Sequence, residues 1–320
     1  MPISQIQTAD GATLAPARSA GVKTIAPDAK RPKPQRGIVW LDLSAPTEAD
    51  LAFLEREYRF HPLTIEDCRN FNQRAKVESY GEYLFLSLTT TARREGELVP
   101  QEMEAFLGRD YLITIHREPL AALDAARQQL TATTHADFLL YLIADHMVDV
   151  YFPLLDEMDD EIDALEDQIL ENATQETMHR IFVLKQQLVF LRKIAAPMRE
   201  VMNALAGTRY GLVDDHTALY FRDVYDHLVR IYDLVETSRD LLGNALDAYL
   251  SVVSNRLNEV LKRLTLFATI FMPISFIVGF AGMNFQQLPF NNPIAFAIVI
   301  ALLIIFPLAM LIWYARSKWV

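Results

Sequence analysis

The polar residues of this chain in the most unusual setting lie near its C-terminus. No Asp, Glu, Lys, Arg or His occurs between Leu264 and Ala315. Gly282, Met283 and Asn284 stand in the middle of that uncharged stretch. Asn258, Leu261, Thr265, Ala268, Met272, Ser275, Gly279 and Gly282 recur at steps of three and four, so they share one face of a helix. Most are small or polar, whereas Phe267, Ile270, Phe271, Phe276 and Ile277 lie elsewhere. In lipid such a stripe either lets helices pack closely or lines a narrow aqueous path. One chain cannot enclose a path with a single helix, so that use demands identical copies around an axis. A second candidate is the carboxylate run of Asp156, Glu157, Asp159, Asp160, Glu161, Asp163, Glu166 and Asp167. It reads as a solvated helix face or as a collector of cations.

The stripe is positioned by two apolar segments, 264–280 and 293–314, which approach or reach the roughly 20 residues that span a bilayer. A soluble helix carries charge on one face, and neither segment does. Lys262 and Arg263 precede the first span, Arg316 and Lys318 follow the second, and the loop between has no basic residue. The positive-inside bias therefore sets both ends in the cytoplasm of an inner or plasma membrane. Trp313, Tyr314 and Trp319 suit the membrane interface. Residues 1–36 are rich in Ala and Pro, lack a continuous apolar core like that of a secretory signal, and read as a disordered tail.

The net charge of −11 argues against nucleic acid and for attraction of cations. Cys68 is the sole cysteine, which excludes intrachain disulfides and thiolate metal clusters and leaves a small core residue. Residues 37–130 read as mixed α/β, with a strand at 38–41. Pro46 and Thr47 open a helix that carries Leu51, Phe53, Leu54 and Tyr58 at helical spacing. Strands follow at 83–90 and 103–107, and Gly108-Arg109-Asp110 turns the chain into 111–116. No phosphate loop, nucleophile–base pair or His-rich metal motif occurs there, so no enzyme is expected.

From Ala136 the pattern is helical. Met158, Ile162, Leu165 and Ile169 form one stripe, and Ile181, Leu184, Leu188 and Leu191 form that of a return helix. Phe221, Val224, Leu228, Ile231, Val235, Ser238, Leu242, Ala245, Tyr249 and Val252 then make a heptad seam, which asks for neighbouring helices. With no strong breaker before the first span, one helix over 217–280 would be about 95 Å long.

The run from Asn258-Glu259-Val260-Leu261-Lys262 through Phe271-Met272-Pro273 to Gly282-Met283-Asn284-Phe285 closely resembles the CorA divalent-cation channels. The likeness extends to Tyr220-Phe221-Arg222-Asp223 and to His61-Pro62-Leu63-Thr64-Ile65-Glu66-Asp67. It also takes in Leu139-Leu140-Tyr141-Leu142-Ile143-Ala144-Asp145, and covers about 37–320. It implies an α+β cytoplasmic domain, a long helical stalk and two C-terminal transmembrane helices, assembled as a homopentameric channel for Mg²⁺ and often Co²⁺ or Ni²⁺. It implies a selectivity filter of Gly282, Met283 and Asn284, a pore lined by Asn258, Leu261, Leu264, Met272 and Ser275, and apolar constrictions at Leu261, Leu264 and Met272. Glu66, Asp67, Asp145 and Asp223 would form cytoplasmic Mg²⁺ sites at subunit contacts that favour the closed state. Metal ions are the only expected small-molecule substrate, and the expected partners are further copies and the lipid bilayer.

The implied divisions are a tail (1–36), an α/β domain (37–135), an acidic helical hairpin (136–214), a stalk helix continuing into the first span (215–282), an external loop (283–292), a second span (293–315) and a basic cytoplasmic end (316–320). Two features depart from the family pattern. The loop from Gln286 to Asn292 has no acidic residue, and Asn72 stands where relatives often carry a His. Two other functions stay open: a ZntB-like Zn²⁺ carrier of the same architecture, and a membrane-anchored coiled-coil sensor that conducts nothing.

Overall fold

The computed structural model describes residues 3–8, 38–71, 73–131, 134–207, 210–283 and 293–316, with the side chains of 3–8 and 295 outside that description. The chain divides into two units, Met1–Leu246 and Asp247–Val320. The first is built on strands β1 (Ile3–Thr8), β2 (Val39–Ser44), β3 (Lys76–Ser79), β4 (Leu84–Arg94), β5 (Glu97–Leu107) and β6 (Tyr111–His116). They lie in the order β1-β2-β6-β5-β4-β3. Among the described residues only β2 and β6 pair in parallel.

Local chemistry sets the elements. Thr47 and Asp50 form a reciprocal capping box that starts α1 (Glu48–Tyr58), whose Leu51, Phe53, Leu54 and Tyr58 are buried as their spacing predicts. Pro62 occupies the first turn of α2 (Pro62–Asn70), where its missing N–H costs nothing. Gly108 closes the β5–β6 turn because a Cβ there would collide with the Tyr111 ring. Side chains alternate along the strands. Val39, Leu41, Leu43, Phe85, Phe106, Ile113 and Ile115 therefore pack with α1 and α2 in one core. On the opposite face, Thr90 Oγ1 donates to the Met147 carbonyl of α4 (Ala136–Asp149), and Arg127 of α3 (Ala121–Gln128) reaches Asp42 and the Trp40 ring.

Ile3–Thr8 is an edge strand antiparallel to β2, which corrects the expectation of a disordered tail for those six residues. The outer edge of β2 otherwise presents unpaired backbone groups, and a neighbouring extended segment satisfies them. The remainder of that tail, residues 1–2 and 9–36, lies outside the described residues.

The acidic hairpin consists of α5 (Tyr151–Asn172) and α6 (Gln175–Ala206). Both expected stripes are buried, from Met158 to Ile169 and from Ile181 to Leu191. Arg180 ties the pair together by reaching Gln168 and Glu161.

Helix α7 runs unbroken over Asp215–Ala281. Its seam from Phe221 to Ala245 is buried within the chain itself. Phe221 meets Tyr141 of α4, and Ser238 Oγ donates to Asp159 of α5. The helices demanded by the seam are thus the chain's own, and the seam carries no requirement for other copies as far as Ala245.

The second unit comprises the rest of α7 and α8 (Pro293–Arg316). Among the described residues three stretches are long and apolar enough to cross a membrane, and burial separates them. The apolar window of Ala136–Asn172 is 56% buried inside the fold, whereas those of Asp215–Ala281 and Phe296–Arg316 are 0% buried. The first is core; among the described residues nothing covers the other two.

Candidate functional site

Glu66 and Asp67 lie on α2, with Glu66 exposed and Asp67 partly covered. Thr64 and Ile65 are buried in the preceding turn and fix which way the helix faces. Asp67 Oδ2 accepts a hydrogen bond from Lys76 Nζ at 2.8 Å, and the same ammonium donates to Glu78 Oε1 at 3.1 Å. The neighbouring Cys68 is buried, as expected of a core residue. Burial pushes its thiol pKa well up, and the Glu104 and Asp67 carboxylates add to that shift.

Asp145 and Asp149 stand one turn apart near the end of α4, and Asp223 and His227 one turn apart on α7. Phe138 and Tyr141 of α4 pack on Tyr220 of α7, which brings the two helices together at this point. One ligand atom each from Asp145, Asp149 and His227 lies within 4.8 Å of the others. His227 Nε2 is 3.9 Å from Asp223 Oδ2, while its Nδ1 is buried with no hydrogen-bond partner. Burial raises the Asp145 pKa, and Asp149 and Asp223 raise it further, against His146 and His227. Burial also lifts the Tyr141 hydroxyl to about 12, with Asp145 and Asp223 adding to it.

The charges of Asp149 and Asp223 thus lie close enough to the partly buried Asp145 to disfavour its ionisation. A divalent cation relieves that repulsion. Oxygen donors suit Mg²⁺, and an imidazole among them also suits Co²⁺ or Ni²⁺. The orphaned ring nitrogen and the donor set fit such an ion.

The fold brings Asp145 and Asp223 together but not Glu66 and Asp67 with them. α2 covers one face of the sheet and α4 the other. Among the described residues no contact joins the two groups. Asp149 and His227 were missing from the expected ligand set. Each repeats an expected ligand at i+4, so each shares a helix face with it, and that spacing was the signal available.

Asn258, Leu261, Leu264, Met272 and Ser275 are all exposed on α7. At 3.6 residues per turn they and Gly282 fall in a stripe about 120° wide. Thr265 Oγ1 donates to the Leu261 carbonyl and Thr269 Oγ1 to that of Thr265, which satisfies both hydroxyls inside the helix. α7 ends at Ala281, and Gly282 and Met283 follow with their N–H groups bonded to the Val278 and Phe280 carbonyls. Asn284, the rest of the loop to Asn292, Asn72 and 317–320 lie outside the described residues.

An α/β unit followed by a long helix and a second apolar helix is an architecture that this chain shares with metal-ion transport proteins. Residues 35–316 match the family described as CorA-like Mg²⁺ transporter protein, and the chain belongs to that family. It is 38% identical over 290 residues to the cobalt/magnesium transport protein CorA of Thermotoga maritima, covering 88% of this chain and 83% of that one. It is 31% identical over 286 residues to the putative metal ion transporter YfjQ of Bacillus subtilis, covering 88% and 89%. The fold matches the CorA magnesium transporter of Methanocaldococcus jannaschii with a TM-score of 0.81, at 24% identity, over 88% of this chain and 92% of that one.

Proposed function

We propose that this chain is one subunit of a homopentameric channel that admits Mg²⁺, and Co²⁺ as a second ion, across an inner or plasma membrane and closes as cytoplasmic Mg²⁺ rises. The observation that carries this reading is the uncovered face of α7. It runs from Asn258 to Gly282 in small, polar or flexible residues, with Met272 73% exposed, and its residues are exposed among the described residues. Five such faces around an axis would enclose a path, and the α8 helices would form the outer ring. The number five rests on family resemblance.

The chemistry supports that arrangement. The last carbonyls of a helix carry partial negative charge and lack intrahelical partners. At the end of α7 they would favour a cation, and the Asn284 amides would hydrogen-bond its water shell. Mg²⁺ dehydrates reluctantly, so neutral groups that hold its outer waters select it without stripping it. Leu261, Leu264 and Met272 would form apolar rings that close by dewetting.

Cytoplasmic Mg²⁺ would act at Glu66 and Asp67 of one subunit and at Asp145 and Asp223 of the next, with Asp149 and His227 as further ligands. The separation of these groups by the sheet within one chain supports a bridge between subunits. Mg²⁺ then favours the closed ring through its greater affinity for that state. Flux of Mg²⁺ into liposomes holding the purified protein tests the reading. Asn284→Ala should abolish that flux if the filter reading holds. Well-assembled oligomers that carry no Mg²⁺ would sink it in favour of the non-conducting sensor, and Zn²⁺ uptake driven by a pH gradient would favour the ZntB-like carrier.

A further inference from the structure

The Lys76 ammonium occupies the position that a cation arriving at Asp67 would need. It sits 2.8 Å from Asp67 Oδ2 and 3.1 Å from Glu78 Oε1. The pair is sheltered: the Lys76 side chain is 30% exposed and that of Asp67 is 19% exposed. The Phe85 ring lies under the ammonium at 5.5 Å. The Lys76 ammonium is thus held at this place by two carboxylates, Asp67 and Glu78.

We propose that Lys76 is a built-in counter-ion that competes with divalent cations for the Asp67 carboxylate and so sets the cytoplasmic concentration at which Asp67 responds. Two cations cannot share one carboxylate oxygen at contact distance without strong mutual repulsion. An incoming Mg²⁺ must displace the ammonium first. The flexible four-carbon stem of lysine lets it withdraw, and Glu78 gives it a second carboxylate to hold. Asp67 is then neutralised in either state, by Lys76 or by metal, and is never left as a bare charge. The inference rests on the proposed role of Asp67 as a cytoplasmic cation ligand.

The test is Mg²⁺ flux through the full-length protein in liposomes, measured against Mg²⁺ at the cytoplasmic face, for four variants. Lys76→Met keeps the aliphatic stem and removes the charge, and it should lower the half-inhibitory Mg²⁺ concentration about five- to tenfold, the scale of one half-sheltered ion pair. Lys76→Gln serves the same comparison if the methionine variant does not assemble. Lys76→Arg keeps the charge and should not lower the value, whereas loss through mere misfolding would not be rescued this way. Asp67→Asn should raise it. An unchanged or raised half-inhibitory concentration in the Met and Gln variants, with Asp67→Asn shifted as expected, overturns the Lys76 role alone. An unchanged Asp67→Asn overturns the sensor reading and this inference with it.

Discussion

Glu104 of β5 accepts a hydrogen bond from Ser87 of β4 at 3.0 Å through one oxygen, and its other oxygen has no partner. Asp67 and Cys68 of α2, Lys76 of β3 and Glu102 of its own strand also act on it or feel its charge. Burial dominates and lifts its pKa from 4.5 to about 8, with Ser87 opposing. The folded carboxyl therefore holds a proton that the unfolded chain releases near pH 4.5. Stability from this group is fully present below that pH and is lost as pH rises through about 8. Glu104→Gln keeps the shape and removes the titration. Its thermal midpoint should exceed that of the parent by a margin that widens from pH 6 to 8, with a limiting slope of about 1.4 kcal/mol per pH unit. Parallel melting curves across that range would show that Glu104 does not couple to folding. The sequence offered no sign of this residue, because a Glu in an alternating strand reads as solvent-facing until the covering helix is placed. The α4–α7 cluster was half legible for a related reason. Spacing by four assigns a shared face within one helix, but only packing brings two helices' faces together.

At the scale of elements, spacing located faces well and partners poorly. The seam of α7 from Phe221 to Ala245 carries the heptad pattern of an oligomer, yet α4 and α5 supply its contacts. The pattern specifies which side is apolar, and any apolar surface of matching shape satisfies it. Leu228 is fully buried in that seam. Leu228→Ala should cost about 2–5 kcal/mol through lost burial and the cavity left behind, read as a lowered melting temperature of the full-length protein. A change within about 0.5 kcal/mol would place the seam outside the core. The hairpin of β4 and β5 was legible only in part, over 83–90 and 103–107. It extends to the pair Arg94 and Glu97, where the strands leave the core and lose their apolar alternation. Gly96 at φ 88° and Glu95 at φ 51° make the turn. The nine-residue α2 and the half-exposed β3 were too short and too polar to announce themselves, although both hold the Asp67–Lys76 pair.

For the whole molecule, the uncharged C-terminal hairpin was the most legible feature, since apolar length needs no tertiary context. Its setting is what the fold adds. Leu250, Leu257, Phe267, Phe271, Phe276 and Phe280 on α7 and most of α8 are exposed, a burden no soluble chain carries without a partner. In the proposed channel, lipid and neighbouring copies would relieve it. The basic residues then set direction. Lys262 and Arg263 before one span and Arg316 and Lys318 after the other should hold both ends in the cytoplasm. The single, buried Cys68 makes this easy to measure. In a Cys68→Ala background, Gln287→Cys should react with a membrane-impermeant maleimide added to intact cells. Ser317→Cys should react only once the membrane is opened. The reverse pattern would invert the hairpin and turn the carboxylates of α2, α4 and α7 towards the outside, where they could report nothing about cytoplasmic Mg²⁺. Labelling of both positions from outside would mean that α8 does not cross, and the outer ring of the proposed channel would be lost with it.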